Sequence, residues 1–378
     1  MVKLTRFFWV TTTGVCLLIV ILITVSSIAA QGDSDNPYPI IADGNIRQLQ
    51  SVQTLNFANI EDGIVPASGL FVASADGSKI ATFGNLVGDP PLSQAILWGY
   101  GDTENAFPMV NAIDDSSLVR LLSDDGRCLY AGYRGYYHIW EFDPISASLH
   151  SIQIAELDSP DEMVVGLWLA EDHSENESCN LNVYAEVMNS TGESFILAPD
   201  LSILHENIFA LPDSEDAAAR VGRVPEPLAL TMDFDGTLYR WDMQSQTVTD
   251  TIPLGELAMF GAVNTSGTHY VWLQSNYAGL HLVDFAAAED RVVATFDSAY
   301  ISHLKLSQNA DVVIGVDPRD FPGTVSAWLV ESGERINLGD YRECDRVQPD
   351  LVQLSRDGTT LIIGCDLGID VWRIVEDD

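Results

Sequence analysis

The hydrophobic positions of this chain fall in short apolar runs that are separated by polar turns. The stretch 351–374 (LVQLSRDGTTLIIGCDLGIDVWRI) shows this clearly, because Asp357-Gly358 and Asp366-Leu367-Gly368 divide it into three apolar runs. A run of about four to eight residues, an Asp-Gly pair and another run together form a strong β-hairpin signal. The stretch therefore predicts three consecutive antiparallel strands.

Weaker copies of this unit recur upstream at a nearly constant spacing. We place seven units within 69–113, 117–157, 162–211, 217–254, 257–296, 300–339 and 351–374. The predicted third strand of each unit has one apolar slot, which is filled by Trp98, Trp140, Leu197, Trp241, Val283, Trp328 and Trp372. Successive members lie 42, 57, 44, 42, 45 and 44 residues apart, and the long step contains a polar insertion, 171–180, that we expect to be a surface loop. A period of about 40–45 residues with four strands a unit is typical of a β-propeller.

The two ends of the chain complement each other. The seventh unit lacks a fourth strand, and the strand-like run 46–57 (IRQLQSVQTLNF) belongs to no unit. We expect this run to pair with the otherwise exposed edge of the last unit, which would close the ring. The predicted fold class is all-β, a seven-bladed propeller of four-stranded antiparallel blades over 46–378.

These units resemble the WD40 and WD40-like repeats of β-propeller proteins over 46–378, about 330 residues. The Asp-Gly pairs that match are Asp76-Gly77, Asp125-Gly126, Asp235-Gly236 and Asp357-Gly358, and Trp241-Asp242 is the one Trp-Asp pair that matches. The chain lacks the Gly-His dipeptide of strict WD40 repeats, so it looks more like divergent, secreted microbial propellers. That resemblance implies a binding scaffold with no fixed activity.

The charge of the chain is strongly negative. It has 18 Lys and Arg residues against 55 Asp and Glu residues, a formal net charge of −37. A surface of this kind repels phosphate backbones, so we expect no binding to nucleic acid. Anionic membrane surfaces are poor partners for the same reason, and a soluble, monomeric domain is expected.

The N-terminus predicts export. Lys3 and Arg6 precede a largely apolar stretch, 7–25, and small residues follow it at 26–30. This pattern fits a cleaved signal peptide. It fits a membrane anchor equally well, because 7–25 is close to the roughly 20 residues that span a bilayer. We therefore predict a signal peptide or anchor at 1–30, a linker at 31–45 and an exported domain at 46–378.

Four cysteines follow the N-terminal segment. Their spacing does not match a metal site, and an oxidising compartment would permit disulfides. Cys344 and Cys365 are expected at the same rim of the last unit. Cys128 and Cys179 each lie beside the second strand of neighbouring units, at the opposite rim. The candidate pairs are thus Cys344–Cys365 and Cys128–Cys179, and four buried free thiols are the alternative.

No catalytic, cofactor-binding or metal-binding residues are predicted. The sequence has no nucleophile elbow, P-loop or His-Glu-x-x-His motif. His138 and His281 precede the third-strand slot and are interpreted as packing or hydrogen-bonding residues. Asp233-Phe234-Asp235-Gly236 begins like a calcium loop but lacks the closing Glu, so a turn is the preferred interpretation.

The remaining candidate features are interpreted as structural. Trp168 and Trp272 lie outside the third-strand slot and could serve an aromatic sugar site, although strand sequence on both sides favours the core. Asn176, Asn189 and Asn264 are N-x-Ser/Thr acceptors, relevant only if exported proteins are glycosylated in the source.

Two functions compete on this evidence. The first is a non-catalytic exported propeller that binds a protein, peptide or glycan. The second is a propeller enzyme of the lactonase or quinoprotein type, whose site would lie at the channel mouth on loops of several blades. Because such sites do not form a contiguous motif, the sequence leaves both open. A purely structural ectodomain held by an uncleaved anchor is a third interpretation.

Overall fold

The computed structural model describes residues 38–56, 64–86, 93–99, 109–112, 119–143, 148–169, 179, 183–190, 194–197, 203–206, 219–222, 228–233, 235–242, 245, 247–276, 278–296, 301–317, 324–340, 352–365 and 368–375. These residues form an all-β structure with one short 3-10 helix, Ile46–Gln48. No helix within the ranges given above is long and apolar enough to cross a membrane. The predicted signal or anchor segment, 1–30, lies outside the described residues.

The strands form seven antiparallel sheets of four strands each, which we number in the chain order of their first strands. The first strands are β2 (Ile64–Ala73), β6 (Val119–Leu122), β10 (Met163–Leu169), β14 (Ala219–Gly222), β18 (Ala258–Val263), β22 (Ser302–Leu306) and β26 (Val352–Leu354). The second strands are β3 (Ile80–Leu86), β7 (Cys128–Gly132), β11 (Val183–Met188), β15 (Leu228–Met232), β19 (His269–Gln274), β23 (Val312–Asp317) and β27 (Thr360–Cys365).

The outer half of each sheet is built in the same way. The third strands are β4 (Ser93–Trp98), β8 (Tyr136–Asp143), β12 (Ser194–Leu197), β16 (Thr237–Asp242), β20 (Gly279–Asp284), β24 (Thr324–Leu329) and β28 (Gly368–Ile374). The fourth strands are β5 (Met109–Ala112), β9 (Ser148–Glu156), β13 (Ile203–Glu206), β17 (Thr247–Pro253), β21 (Glu289–Thr295), β25 (Arg335–Asp340) and β1 (Leu49–Asn56).

Strand β1 comes from the N-terminal run that had no unit of its own. It is antiparallel to β28, with Leu49 opposite Ile374 and Leu55 opposite Ile369. Leu49 and Leu55 are 3% and 6% exposed, so the strand contributes apolar side chains as well as backbone hydrogen bonds. Sheet 7 thus combines the two ends of the described chain.

The core lies between neighbouring sheets. Six apolar clusters each combine side chains of two adjacent sheets, and first strands of adjacent sheets are in contact, for example β2 with β6 and β18 with β22. All seven residues of the predicted third-strand slot are at least 94% buried. The slot therefore marks the packing layer between sheets, as its period predicted.

The outer edges of the sheets are irregular. In sheets 2 to 7 the pairing of the third and fourth strands contains a register shift, whereas the β4–β5 pairing of sheet 1 is regular. A bulge twists an edge strand and hinders further strand pairing. These shifts are consistent with a domain that limits edge-to-edge association.

The segment before β1 corrects one prediction. Residues 38–45 were assigned to a linker, but Ile41 is fully buried in the cluster between sheets 6 and 7. Its N–H donates to the carbonyl of Gly358, and Arg373 lies 4.2 Å from the centre of the Tyr38 ring. Ile40 and Ile41 offered too short an apolar signal to separate this docked segment from the polar residues before it.

Candidate functional site

One end of the sheets carries a repeated turn between the first and second strands. The turns span 74–79, 123–128, 264–269, 307–312 and 355–360. We call them turns 1, 2, 5, 6 and 7, after their sheets, and together the turn belt. Asp235-Gly236, which the sequence grouped with three of these turns, instead joins the second and third strands of sheet 4 and so lies at the opposite end.

The belt turns share one hydrogen-bond pattern. In turn 1, the Ser74 hydroxyl donates to Asp76 at 2.6 Å and accepts the N–H of Lys79 at 3.0 Å. Ser123 in turn 2 and Ser355 in turn 7 make the equivalent bonds. In each of these turns, the hydroxyl of the first residue therefore accepts a hydrogen bond from the N–H of the sixth residue. An alignment of the sequence on its Asp-Gly pairs shows the serine as a repeated residue.

Turns 5 and 6 reach the same geometry with other residues. Asn264 accepts the N–H groups of Thr268 and His269 at 2.9 Å each, in the position that Ser takes elsewhere. Ser307 donates to Asp311 at 2.6 Å because the third residue of turn 6 is Asn309. The shape of the turn is thus kept although its Asp-Gly pair is lost.

The carboxylates of the belt are engaged inside their own turns. Burial raises the pKa of Asp76, but hydrogen bonds from Ser74 and Ser78 outweigh burial, so the pKa lies below its usual value. Burial likewise raises the pKa of Asp125, and bonds from Ser123 and the Arg127 N–H bring it below the usual value. These side chains are used to shape the turns.

Successive belt turns are also bonded to each other. The N–H of Asp357 in turn 7 donates to the carbonyl of Ala75 at 3.0 Å, and the N–H of Ala75 donates to Asp124 of turn 2 at 2.9 Å. Asn264 of turn 5 donates through Nδ2 to the carbonyl of Gln308 in turn 6 at 3.0 Å. The turns therefore connect sheets at this end.

The segment 38–48, which precedes β1, connects turns 6 and 7. The Ile41 N–H donates to Gly358 at 2.9 Å, and the Asp43 N–H donates to Asp311 Oδ2 at 3.2 Å. An exposed ion pair of 2.6 Å between Arg47 and Glu334 adds a contact to the rim of sheet 6. The same segment thus bridges turns 6 and 7 and leads into β1.

A disulfide connects sheets 2 and 3 at the belt end. Cys128 and Cys179 are bonded, with Cα atoms 5.6 Å apart, and this is one of the two pairings that the sequence suggested. Both side chains are buried, at 3% exposure. Cys344 lies outside the described residues, as does the side chain of Cys365, so the second pairing stays a prediction.

Two third-strand tryptophans each make the same kind of buried hydrogen bond. Trp98 donates through Nε1 to the hydroxyl of Thr82 at 3.2 Å, and Trp241 donates to Thr231 at 2.7 Å. In each case the acceptor is on the second strand of the same sheet. These contacts fix the orientation of the indole between sheets and support the core interpretation.

The predicted interpretation of the strand histidines agrees with their contacts. His138 stacks on Trp140, with ring centres 3.8 Å apart, and bonds Ser151 Oγ at 2.7 Å. Burial lowers the pKa of His138.

Sheet 5 contains a polar cluster that the sequence did not reveal. Asp290 accepts the Trp272 Nε1–H at 3.0 Å with one oxygen, and its other oxygen lies 3.0 Å from His281 Nδ1. Trp272 is 1% exposed, as the core interpretation predicted. The three residues come from the second, third and fourth strands, so only the pairing register brings them together. The Trp168 side chain lies outside the described part.

The calcium-like sequence forms a turn. Asp233 accepts the N–H groups of Asp235 and Thr237 at 3.0 and 2.8 Å, and the Tyr239 hydroxyl at 2.8 Å. Burial raises the pKa of Asp233, but the bonds from Thr237 and Tyr239 bring it below its usual value. No group of three or more metal-ligating side chains occurs among the residues that the structure covers.

The glycosylation acceptors differ in accessibility. Asn264 is 1% exposed, and its Nδ2 donates to Ser266, Thr268 and Gln308. Its amide is therefore unavailable in the folded chain. Asn176 lies outside the described residues, and Asn189 is half-buried just after β11.

Comparisons with known proteins identify the fold. No protein-family model matches the chain, and no curated protein matches it. A chain in the crystal structure of the mitotic checkpoint complex is similar with a TM-score of 0.53 and 16% sequence identity. The match covers 86% of this chain and 95% of that chain. The fold is that of a β-propeller. At this identity the likeness concerns architecture alone.

Proposed function

We propose that this chain is an exported WD40-like propeller that binds a protein partner and catalyses no reaction. The observation that carries the proposal is the fold itself, in which the carboxylates and histidines described above stabilise turns or pack between strands. Asp76, Asp125 and Asp233 accept bonds within turns, and His138 and His281 contact indoles. Such a framework presents loops without itself supplying reactive groups.

We propose further that the seven sheets form one closed seven-bladed ring. The pairing of β1 with β28 supports closure by the N-terminal strand, and the bonded turns support continuity from sheet to sheet. Residues 1–30 would then be the signal peptide or anchor, and 31–37 the remainder of the linker. The divergent, secreted type of propeller suggested by the sequence belongs to this proposal.

Export is supported by two independent features. The basic and apolar N-terminus is typical of an export segment. The buried Cys128–Cys179 bond is typical of proteins that mature in an oxidising compartment. N-terminal sequencing of protein recovered outside the cytoplasm tests export and shows whether 1–30 is cleaved. Recovery only from the cytoplasm, with both thiols free, would contradict it.

Partner binding is expected at the end opposite the belt. Backbone groups at the belt end form hydrogen bonds between sheets. The opposite end carries the connections between fourth and first strands, which differ in length. Leu257 lies in such a connection and is 46% exposed, while Ile40 lies at the belt end and is 41% exposed. These two residues offer a matched pair of surface variants.

Cross-linking in the native host, followed by mass spectrometry, tests this proposal. We expect Leu257→Asp to lower the yield of the main cross-linked partner severalfold and Ile40→Asp to leave it unchanged. Equal effects of the two variants would contradict the assignment of the binding end. A metal retained in equal molar amount after extensive dialysis would instead favour the propeller-enzyme alternative.

A further inference from the structure

In turns 7 and 1, the sixth residue forms a side-chain link to the next sheet. Thr360, sixth in turn 7, donates its hydroxyl to the carbonyl of Asp76 in turn 1 at 2.9 Å. Lys79, sixth in turn 1, donates Nζ to the carbonyl of Asp125 in turn 2 at 2.5 Å. Both acceptors are the third residue of the following turn, so the two links are equivalent.

The glycine of each receiving turn makes room for this link. A Cβ on Gly77 would lie 2.8 Å from Thr360 Cβ, and a Cβ on Gly126 would lie 2.4 Å from Lys79 Cδ. Both glycines also have positive φ, at 67° and 71°. Glycine is therefore needed for the backbone conformation and for the passage of the neighbouring side chain.

Cys128 is the sixth residue of turn 2. Its N–H donates to the Ser123 hydroxyl at 2.8 Å, as those of Lys79 and Thr360 do to Ser74 and Ser355. The following sheet has no Asp-Gly turn to receive a link, because β10 and β11 are joined by the thirteen residues 170–182, AEDHSENESCNLN. The side chain of Cys128 is instead bonded to Cys179 in that connection.

We propose that the Cys128–Cys179 disulfide is the covalent form of the sixth-residue link, used where the next sheet lacks the receiving turn. The bond closes between the same two elements that the hydrogen bonds join elsewhere, namely the end of one turn and the first connection of the next sheet. It keeps the joint between sheets 2 and 3 at the belt end while a long connection replaces the turn. This inference does not depend on the proposed partner binding.

A rebuilt turn tests the equivalence. Residues 170–182 are replaced by the sequence of 74–79, Ser-Ala-Asp-Gly-Ser-Lys, which removes Cys179 and supplies a receiving turn. In this background, Cys128→Lys should restore the link, and Cys128→Ala should not. We expect the Lys variant to melt about 2–4 °C above the Ala variant, because the two differ by a single hydrogen bond from a charged donor. Equal melting temperatures of the two variants would overturn the proposal.

A second measurement keeps the proposal testable if the rebuilt chain fails to fold. The wild-type protein is compared with Cys128→Ser/Cys179→Ser by hydrogen exchange and mass spectrometry. Exchange should rise at least tenfold in peptides covering β7, β10 and β11, with β26 and β27 unchanged because their link is Thr360. Unchanged exchange, or an equal rise in every sheet, would show that the disulfide does not serve this joint.

Discussion

The two ends of the sheets are built on different principles. At the belt end, five turns of six residues adopt one geometry, and their backbone groups bond to neighbouring turns. At the opposite end, the connections differ in length and sequence. The turn 233–236 bonds within its own sheet, and the turn 133–135 bonds to Val164 in the first strand of sheet 3 and to Glu162 just before it. The repeated end therefore joins sheets 7, 1 and 2 as well as sheets 5 and 6, and the connections at the variable end differ without loss of the fold.

The exceptions within the belt are as informative as its regular members. Asn264 replaces a serine and also supplies the bond to the next turn. The N-terminal segment supplies contacts to turns 6 and 7, and a disulfide serves the joint after turn 2. Three different chemistries thus maintain one structural relation, which indicates that the relation itself is what stabilises the domain.

Removal of the N-terminal segment should have the largest effect. A chain that begins after 57 loses Ile41, Ile46, Leu49 and Leu55, each at most 6% exposed. Burial of such side chains contributes about 1.5–3 kcal/mol each, so the loss is comparable to the stability of a whole domain. Circular dichroism should show melting far below that of the chain beginning at 31. Equal melting temperatures would contradict closure by β1.

Crowding in the belt can be separated from backbone strain with two glycines. Gly126 and Gly255 have positive φ values of 71° and 81°, but a Cβ meets Lys79 at Gly126 and nothing within 4 Å at Gly255. We expect Gly126→Ala to lower the free energy of unfolding by about 2–4 kcal/mol and Gly255→Ala by about 1 kcal/mol. Urea titration measures both, and a Gly255 variant at least as destabilised as the Gly126 variant would refute crowding in the belt.

The belt should be sensitive to acid through its carboxylates. The pKa of Asp76 is lowered on folding, so its contribution is present above the usual value near 3.8 and is lost as pH falls through the folded pKa. Asp76→Asn should therefore lower the free energy of unfolding by about 1 kcal/mol near pH 6. The loss should become progressively smaller below about pH 4, as the wild-type carboxylate is protonated.

Denaturant titrations across this pH range give the difference between wild type and variant at each pH. Asp161→Asn, an exposed residue at the opposite end, serves as the control for net charge. A difference that stays constant down to the lowest pH would show that ionised Asp76 is not what holds turn 1.

The smallest effect is expected for the ion pair between turns 7 and 2. Arg356 lies 2.8 Å from Asp124, but both side chains are about half exposed, at 52% and 48%. Exposed pairs typically contribute at most about 1 kcal/mol, so Arg356→Gln should change the free energy of unfolding by less than that. A larger loss in thermal unfolding would mean that side-chain charge, rather than the backbone links, joins these turns.

The architecture was predictable because it repeats. The Asp-Gly turns and the third-strand slot at Trp98, Trp140, Trp241, Trp328 and Trp372 report a period that no single propensity would give. The partner for the unpaired strand followed from the count of strands in the last unit. Cys128 and Cys179 could be paired on paper because their positions relative to the strands were already assigned.

Contacts that depend on register could not be predicted in this way. Asp290, His281 and Trp272 lie on three strands, and one register shift, between Leu280 and His281, alters the pairing of β20 with β21. The docking of 38–45 rests on Ile41 alone within a polar stretch, which gives no periodic signal. The sixth-residue link could not be predicted either, since Thr360, Lys79 and Cys128 occupy equivalent turn positions but have side chains of different chemistry.

Native-state hydrogen exchange of a chain beginning at 31 tests the central claim most directly. The amides of Ala75 and Asp357 donate between sheets at the belt end, whereas those of Gly236 and Leu254 donate within sheet 4 at the opposite end. If the belt joins the sheets, Ala75 and Asp357 should exchange only through global unfolding, with free energies that fall with denaturant as the global value does. Gly236 and Leu254 should exchange through local opening, with little dependence on denaturant. Local exchange of Ala75 and Asp357 at rates similar to those of Gly236 and Leu254 would contradict the account.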